Sequence, residues 1–401
     1  MGDFFQNGVI TTFHRLGNLD IKRLESELSE FSKVRQIALV LPALYREFEG
    51  EALPRIIREL KKVKYLKQIV LCLDRANKKQ FEKAKKFLSQ HKKIEILWND
   101  GPGMKKLYQI LEKNDLSPGT EGKGRAVWIS FGYVLATRKS QVIAIHDCDI
   151  LNYDRSMLAR LCYPVANPSF DYEFCKGYYS RVADRMHGRV TRLFYTPFIR
   201  SLEKMLGYLP FLVFMDSFRY ALSGEFSMRA DLAMVNRIPG DWGLEVGTLD
   251  EVYKNVALHR ICQVDIAESY EHKHQKLDPE DPEAGILRMS IDISKSIFRT
   301  LASEGVQFSE GFFKTLSSTY LKIAKDTITQ YENDAAINGL FFDRHKEAVA
   351  VEAFTEGIRI AGGQFWENPF ETLLIPSWSR IISAIPDFFE LIKEVVEKDN
   401  L

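Results

Sequence analysis

Short apolar runs alternate with segments of helical periodicity between residues 36 and 150, and this alternation limits the possible folds most strongly. The runs cover Gln36–Leu44, Gln68–Asp74, Lys93–Asn99 and Val142–Leu151. Apolar runs of this length between turn residues are typical of buried strands, and apolar residues three and four apart indicate helices between them. Strands that alternate with helices form parallel sheets. The sequence therefore predicts an α/β fold with a doubly wound, mostly parallel sheet.

Distinctive residues mark the ends of three of these strands: Pro42 to Glu47, Asp74, and Asp147 with Asp149. In doubly wound sheets, ligands bind beyond the carboxyl ends of the strands. We therefore expect these residues to converge on one edge of the sheet. Asp74 taken alone would more simply be a solvated acid at a strand end.

Asp147 and Asp149 lie one residue apart at the end of an apolar run. Two carboxylates at the end of a buried strand are costly unless a cation neutralises them. Mg²⁺ favours oxygen ligands and usually takes one or two carboxylates plus substrate phosphates. Asp-x-Asp is typical of the metal and diphosphate site of nucleotide-sugar glycosyltransferases, although solvated acids that cap the next helix give the same pattern. The adjacent His146 should point to the opposite face of the strand and pack there.

Two glycine-containing segments suit phosphate groups. Residues 122–124 place Lys123 between two glycines just before a predicted helix, so that backbone and ammonium can both approach a phosphate. Residues 188–191 combine a glycine, a guanidinium and a hydroxyl at a helix start, which suits a phosphate-bearing acid. An ordinary turn and a capped helix start with a surface arginine are the alternatives. Local basicity from Arg185, His187 and Arg192 favours an anionic ligand.

Composition restricts the classes of partner and compartment. A net charge of +1 gives no general argument for nucleic acid or an anionic membrane as a partner. Five cysteines without paired spacing favour a reducing cytoplasm over a disulfide scaffold. We expect no secretory signal at the start of the chain, and the longest apolar stretch, Tyr208–Met215, is too short to span a bilayer.

Seven short motifs occur along residues 36–277. They are Leu41-Pro42-Ala43-Leu44, Gly122-Lys123-Gly124-Arg125-Ala126, Asp147-Cys148-Asp149, Gly188-Arg189-Val190-Thr191, Ser223-Gly224-Glu225, Gly243-Leu244-Glu245-Val246-Gly247 and Glu271-His272-Lys273. Their identity and order resemble those of glucosyl-3-phosphoglycerate synthases, which are retaining glycosyltransferases of the GT-A fold. The resemblance implies transfer of glucose from UDP-, GDP- or ADP-glucose to the 2-hydroxyl of 3-phosphoglycerate. The product would be glucosyl-3-phosphoglycerate, the precursor of the compatible solute glucosylglycerate.

The same resemblance implies a role for each matching residue. Donor-binding residues would be Pro42, Ala43, Leu44, Glu47, Asp74, Lys123 and Asp147. Acceptor-binding residues would be Gly188, Arg189, Thr191 and His274. Mg²⁺ or Mn²⁺ would be bound by Asp149, His272 and Asp147, and the catalytic carboxylates would be Glu245 and Asp149. The chain departs from the family at Arg46, which stands where the commoner form has a glutamate.

The predicted organisation has three parts. Residues 1–35 form an N-terminal lead-in. Residues 36–278 form the GT-A catalytic domain, with a nucleotide-sugar half at about 36–150 and an acceptor half at about 151–278. In the acceptor half, residues 221–226 and 241–247 are expected to be loops at the rim of the site. Residues 279–401 have mostly helical patterning and are expected to form an appendage with a stabilising or partner-facing role.

Several alternatives remain open from the sequence. A related transferase could use another sugar or acceptor, as in mannosyl-3-phosphoglycerate synthesis, and a chain of this kind could bind sugar nucleotides without turnover. Retention could arise by double displacement or by front-face attack, and Glu245 is expected to act electrostatically or by positioning. The family also suggests a homodimer.

Overall fold

A computed structural model describes residues 4–240, 243–270, 285–369 and 374–401. In these residues one eight-stranded sheet has the order β1-β8-β6-β7-β5-β2-β3-β4. The strands are β1 Thr11–Phe13, β2 Ile37–Leu44, β3 Leu66–Asp74, β4 Ile94–Trp98, β5 Val142–Ile145, β6 Phe174–Tyr179, β7 Phe226–Arg229 and β8 Ile261–Ala267. All neighbours are parallel except β7, which is antiparallel to both β5 and β6. The predicted doubly wound, mostly parallel sheet is confirmed.

Helices cover both faces of the sheet. The first ten helices are α1 Ile21–Phe31, α2 Ala52–Leu60, α3 Lys78–Leu88, α4 Pro102–Lys113, α5 Lys123–Thr137, α6 Arg155–Ala166, α7 Thr196–Leu206, α8 Pro210–Asp216, α9 Ala230–Val235 and α10 Leu244–Asn255. Successive residues of β2 show the two layers: Ala38 and Val40 pack into one buried cluster with α5, whereas Leu39 and Leu41 pack into another with α1 and α6. Two cores on opposite faces of one sheet follow from the alternation of side chains along a strand.

The strand predicted over Gln36–Leu44 is observed as β2, which continues through Pro42 to Leu44 beside β3. Proline is tolerated there because β5 pairs with β2 only as far as Val40, which leaves Pro42 without a strand partner on that side. One sequence prediction was wrong in detail: residues 244–247 are not a loop, since they form the first turn of α10.

The N-terminal residues contribute to the sheet. β1 pairs in parallel with β8 and forms one edge strand. The helix α1 buries Leu24 and Leu28, as their spacing predicts. The predicted boundary at residue 35 stays a prediction, and so does the one at residue 278.

The described C-terminal residues, 285–369 and 374–401, contain five further helices. They are α11 Gly285–Ser303, α12 Glu310–Ile337, α13 Arg344–Glu367, α14 Trp378–Ala384 and α15 Phe388–Asn400. The helices α11, α12 and α13 share the core cluster of α7, and a π-helical segment at Val190–Tyr195 precedes α7. Trp378 of α14 stacks on Trp128 of α5, with ring centroids 4.2 Å apart. No helix among the described residues is both long enough and apolar enough to cross a membrane.

Gly132 of α5 tests the contact between α14 and the sheet-covering helices. A Cβ at this position would lie 2.2 Å from the Trp378 ring, so Gly132→Ala should displace that ring and lower the free energy of unfolding by about 1–3 kcal/mol. Gly363→Ala in α13 is the matched control, because its Cβ would meet nothing within 4 Å. The control should gain roughly 1 kcal/mol from helix propensity. Equal urea midpoints for the two variants would contradict this account of the Trp128–Trp378 contact.

Candidate active site

A cleft of 1290 Å³ lies beyond the carboxyl ends of β2, β3 and β5. Its lining contains every predicted site residue that the structure describes: Pro42, Ala43, Leu44, Glu47, Asp74, Lys123, Asp147, Asp149, Gly188, Arg189, Thr191 and Glu245. His272 and His274 lie outside the described residues. The structure thus brings the predicted residues together in one cleft, and their individual roles stay predictions.

Lys123 begins α5 and bridges two carboxylates in the cleft. Its Nζ atom is 2.7 Å from Asp147 Oδ1 and 3.0 Å from Glu245 Oε1. Desolvation would lower the pKa of Lys123, but the charges of Asp147 and Glu245 outweigh it and raise this pKa well above its usual value. The ammonium is therefore a permanent charge that joins the end of β5 to the start of α10.

Two glycines allow close approach of backbone around this ion pair. A Cβ at Gly224 would lie 2.4 Å from Asp147 Oδ2, and a Cβ at Gly124 would lie 2.1 Å from the carbonyl oxygen of Pro239. Gly124 therefore allows α5 to pack against Pro239. The sequence had suggested instead that this glycine leaves room for a phosphate. A Cβ at Gly122 would meet nothing closer than 3.7 Å, so that side of the segment has the predicted space.

Asp149 is the carboxylate that a cation would stabilise most. Burial and the like charge of Asp147 raise the pKa of Asp149 to about 7. Lys123 already neutralises Asp147 in part, so Asp149 is the less compensated of the pair. Carboxylate oxygens at an open cleft fit Mg²⁺ or Mn²⁺. Within the described ranges no group of three His, Cys, Asp or Glu side chains has an arrangement that could hold a metal ion, and His272, the predicted third ligand, lies outside those ranges.

His146 packs on the other face of β5, as predicted. Its side chain is fully buried and its ring lies 5.5 Å from that of Tyr153 in an edge-to-face arrangement. Neither ring nitrogen has a hydrogen-bond partner in the described part of the chain. Burial lowers the pKa of His146 to about 3, so the imidazole is neutral and belongs to the core.

Glu225 accepts a hydrogen bond from the backbone of Asp147 and so supports the carboxylate pair, a role that the sequence did not predict. It is fully buried, and it accepts hydrogen bonds from the hydroxyls of Tyr179 at 2.9 Å and Tyr270 at 2.5 Å. Its Oε1 also accepts from the backbone N–H of Asp147 at 3.4 Å. Burial and the charge of Asp147 raise the pKa of Glu225. The only sequence signal for Glu225 was its place in the Ser-Gly-Glu motif.

Lys176 of β6 is a second buried residue that the sequence did not single out. Its side chain is 1% exposed, and its Nζ has no hydrogen-bond partner in the described ranges. Burial lowers the pKa of Lys176 to about 8, although the charges of Glu245 and Glu225 oppose this effect. Lys176 therefore adds positive charge near the acidic cluster of Asp147, Glu225 and Glu245, and it is not itself a residue of the cleft lining.

Asp74 ends β3 and is fixed by polar neighbours. Asn99 Nδ2 donates to Asp74 Oδ1 at 2.5 Å, and the Tyr108 hydroxyl donates to Asn99. Burial, opposed by the Asn99 hydrogen bond, raises the pKa of Asp74 to about 6. The second oxygen of Asp74 has no hydrogen-bond partner among the described residues, and Asp74 lines the cleft. The interpretation of Asp74 as merely a solvated acid is wrong, because this carboxylate is buried.

Glu47 lies in a short 3₁₀ helix, Tyr45–Glu49, that continues β2 at the cleft. The carboxylate is buried, and Arg46 Nε is 3.2 Å from its Oε1. Arg46 therefore pairs with Glu47 and stays largely exposed itself. Arg46 replaces the first glutamate of the commoner family sequence, and the second acid, Glu47, is still present at the cleft.

The segment from Gly188 to Thr191 lines the same cleft and leads into the π-helical segment Val190–Tyr195. Gly188 has φ +75°, a conformation that favours glycine. Arg189 Nε donates to Glu347 Oε1 at 3.0 Å, and the part-buried Arg192 donates to Glu347 Oε2 at 3.1 Å. Glu347 belongs to α13, so the C-terminal helices form part of the cleft wall. Sequence reasoning expected only a stabilising or partner-facing appendage there.

The fold resembles solved glycosyltransferase structures. A structure of glucosyl-3-phosphoglycerate synthase from Mycobacterium tuberculosis with Mg²⁺ and UDP superposes with a TM-score of 0.52, covering 75% of this chain and 89% of that one at 21% identity. A second structure of that enzyme, with phosphoglyceric acid, gives a TM-score of 0.52 at 20% identity. At these identities the likeness concerns the fold alone. The solved structures therefore confirm the predicted GT-A fold.

Curated relatives identify the family. The chain is 50% identical over 401 residues to glucosyl-3-phosphoglycerate synthase of Persephonella marina, covering all of this chain and 99% of that protein. It is 37% identical to the enzyme of the same name from Methanococcoides burtonii, covering 99% and 98% of the two chains. No family model matches the chain. The chain belongs to the glucosyl-3-phosphoglycerate synthase family.

Asp149→Asn tests the metal assignment. The variant should weaken Mn²⁺ binding in the presence of UDP by more than about a hundredfold, since losing even an outer-shell partner typically costs 10–100-fold. Because the pKa of Asp149 is about 7, protons should compete with the metal, and the wild type should bind Mn²⁺ more weakly at pH 6 than at pH 8. Asp231→Asn at the exposed start of α9 is the control. Calorimetric titration measures both effects, and unchanged affinity in Asp149→Asn would refute the assignment.

Proposed function

We propose that this chain transfers glucose from a nucleoside-diphosphate glucose to the 2-hydroxyl of 3-phosphoglycerate with retention, using Mg²⁺ or Mn²⁺. The observation that carries the proposal is that a single cleft is lined both by the carboxylate pair Asp147 and Asp149 and by the arginine-containing segment Gly188–Thr191. The chain is 50% identical over its full length to a glucosyl-3-phosphoglycerate synthase, which supports a glucose donor and 3-phosphoglycerate as its substrates. Related M. tuberculosis structures hold Mn²⁺, UDP-glucose and phosphoglyceric acid together.

The donor side is formed by the ends of β2, β3 and β5. We assign the nucleoside to Pro42–Leu44, Glu47 and Asp74, because these line one part of the cleft. Asp147, Asp149 and the predicted ligand His272 would hold the metal, which stabilises negative charge on the leaving diphosphate. Lys123 supplies fixed positive charge beside that group.

Glu245 acts electrostatically in this proposal. Its carboxylate is paired with Lys123 at 3.0 Å, and an ammonium at that distance reduces the nucleophilicity of a carboxylate. The pairing favours front-face attack over double displacement. Glu245 would then stabilise positive charge that develops on the sugar ring.

The acceptor side contains Gly188, Arg189 and Thr191. The glycine allows close approach of the backbone, the guanidinium binds a phosphate or carboxylate, and the hydroxyl adds a donor. Arg185 and His187 line the same part of the cleft. His274 is a proposed acceptor contact outside the described residues.

Cellular setting and assembly are also proposals. Five free cysteines, all buried, support a reducing compartment such as the cytoplasm. A homodimer follows from the family resemblance and is checked by light scattering. The three-part domain division is supported by the change to helices after residue 285.

A matrix of donors against acceptors tests the function directly. UDP-, GDP- and ADP-glucose, with GDP-mannose as the sugar control, are combined with 3-phosphoglycerate, glycerate and glycerol 3-phosphate. We expect release of nucleoside diphosphate only when 3-phosphoglycerate, a glucose donor and a divalent cation are all present. Equal release with GDP-mannose would favour the mannosyl alternative. Donor binding without release in any well would favour a non-catalytic sugar-nucleotide-binding protein.

Arg189→Ala tests the acceptor assignment. Loss of a charge-assisted contact should raise the KM for 3-phosphoglycerate about 10- to 100-fold and leave the donor KM unchanged. Arg189→Lys should recover part of the loss, because lysine keeps the charge without the planar fork. Arg200→Ala, in a surface pair with Asp216, is the control. An effect of Arg189→Ala on the donor KM alone would overturn the assignment.

Asp74 predicts the donor base. Asp74 lines the cleft, and its second oxygen, which has no hydrogen-bond partner among the described residues, can accept from uracil N3–H or guanine N1–H, whereas the corresponding ring atom of adenine, N1, is itself an acceptor. UDP- or GDP-glucose should therefore be preferred to ADP-glucose by about a hundredfold. Because the pKa of Asp74 is about 6, the donor KM should rise as the pH falls through 6 and the carboxylate becomes protonated. Asp74→Asn should abolish that pH dependence, and equal use of ADP-glucose would contradict the prediction.

A further inference from the structure

Glu347 joins the C-terminal helices to the acceptor side of the cleft. It lies in the first turn of α13, and its side chain is 6% exposed. Each of its carboxylate oxygens accepts a hydrogen bond from a different guanidinium, Arg189 at 3.0 Å and Arg192 at 3.1 Å. Because both oxygens of this buried carboxylate accept charge-assisted hydrogen bonds, the carboxylate restricts the orientation of the two guanidinium groups.

The two arginines have different surroundings. Arg192 is 11% exposed, donates to the carbonyls of His187 and Met186, and lies 4.8 Å from the centre of the Tyr331 ring. These contacts hold Arg192 inside the protein, where its charge needs a counter-charge. Glu347 supplies that charge.

Arg189 is 36% exposed and lines the cleft, which Arg192 does not. Only its Nε atom is engaged by Glu347, and within the described residues its two terminal nitrogens have no hydrogen-bond partner. One carboxylate between two guanidinium groups leaves a net charge of +1. Since Arg192 accounts for the charge of Glu347, the unbalanced charge belongs to Arg189 and faces the cleft.

We propose that Glu347 is a positioning residue for the acceptor: it fixes the Arg189 guanidinium through Nε and leaves the two terminal nitrogens for the anionic acceptor. This inference rests on the proposed function, in which Arg189 binds 3-phosphoglycerate. It makes the C-terminal helical region part of the acceptor site. A guanidinium restrained before binding loses less conformational freedom when the acceptor arrives.

The competing account is that Glu347 only fastens α13 to the π-helical segment. That account predicts lower stability without selectivity between substrates. A third account, in which the charge of Glu347 repels the acceptor, predicts tighter acceptor binding when the charge is removed. The three accounts therefore differ in the sign and selectivity of the change in KM.

Glu347→Gln is the first variant, with Glu356→Gln as the matched control. Glu356 lies on the same helix in an exposed pair with Arg359, so the control makes the same chemical change away from the cleft. Glu347→Gln should raise the KM for 3-phosphoglycerate about tenfold, with kcat and the donor KM within about twofold of wild type. The control should match wild type in all three. If Glu347→Gln does not fold, Glu347→Asp, which keeps the charge but shortens the reach, replaces it with the same expectation.

Combination with Arg189→Ala shows whether Glu347 acts through Arg189. In the Arg189→Ala background, Glu347→Gln should change the KM for 3-phosphoglycerate no further, because the group that it positions is gone. A lower KM in Glu347→Gln, a parallel rise in both KM values, or full multiplication of the two effects would overturn the inference. If wild type does not use 3-phosphoglycerate at all, the proposed function fails instead, and the two failures are distinguishable.

Discussion

The ammonium of Lys123 between Asp147 and Glu245 is the interaction on which the arrangement of the site depends. It connects the start of α5, the end of β5 and the start of α10, which are far apart in sequence. Carboxylates gathered in a partly buried cleft repel one another and lose hydration, so they need a fixed cation. Gly224 lets the backbone approach the Asp147 carboxylate, and Gly124 lets α5 approach Pro239, because a Cβ at either position would overlap these neighbours.

A second constraint comes from the C-terminal helices, which contribute residues to the lining of the cleft. Glu347 places a carboxylate against the π-helical segment, and Phe341 N donates to the carbonyl of Asp184 at 2.9 Å in the turn before it. The proposed acceptor side therefore combines two parts of the chain about 160 residues apart, as the separation of Arg189 from Glu347 shows. The proposed donor side, by contrast, is formed by strand ends that one sheet brings together.

This difference explains how much the sequence could reveal. The strand ends were predictable because a parallel sheet must place Asp74, Asp147 and Asp149 at one edge. The helical state of residues 244–247 was missed because two flanking glycines suggested a loop, although an acid in the first turn of a helix is favourable. Glu225 stood in a quoted motif, but its burial beneath Asp147 was not visible from residue types.

Glu347 had no local signal, since an acid early in an amphipathic helix usually faces solvent. The role proposed for Glu347 depends on a contact across the fold, and such contacts do not follow from periodicity. The same limit applies to Lys176, whose place in an apolar strand gave no indication of the acidic cluster nearby.

The central claim is that this cleft joins glucose to the 2-hydroxyl of 3-phosphoglycerate with retention. The most direct measurement is NMR of the product formed from ¹³C-labelled glucose donor and 3-phosphoglycerate. The account predicts one product, with an α-anomeric linkage and a correlation from the anomeric carbon to H2 of the glycerate. A β-linkage, or a correlation to any other position of the acceptor, would contradict it.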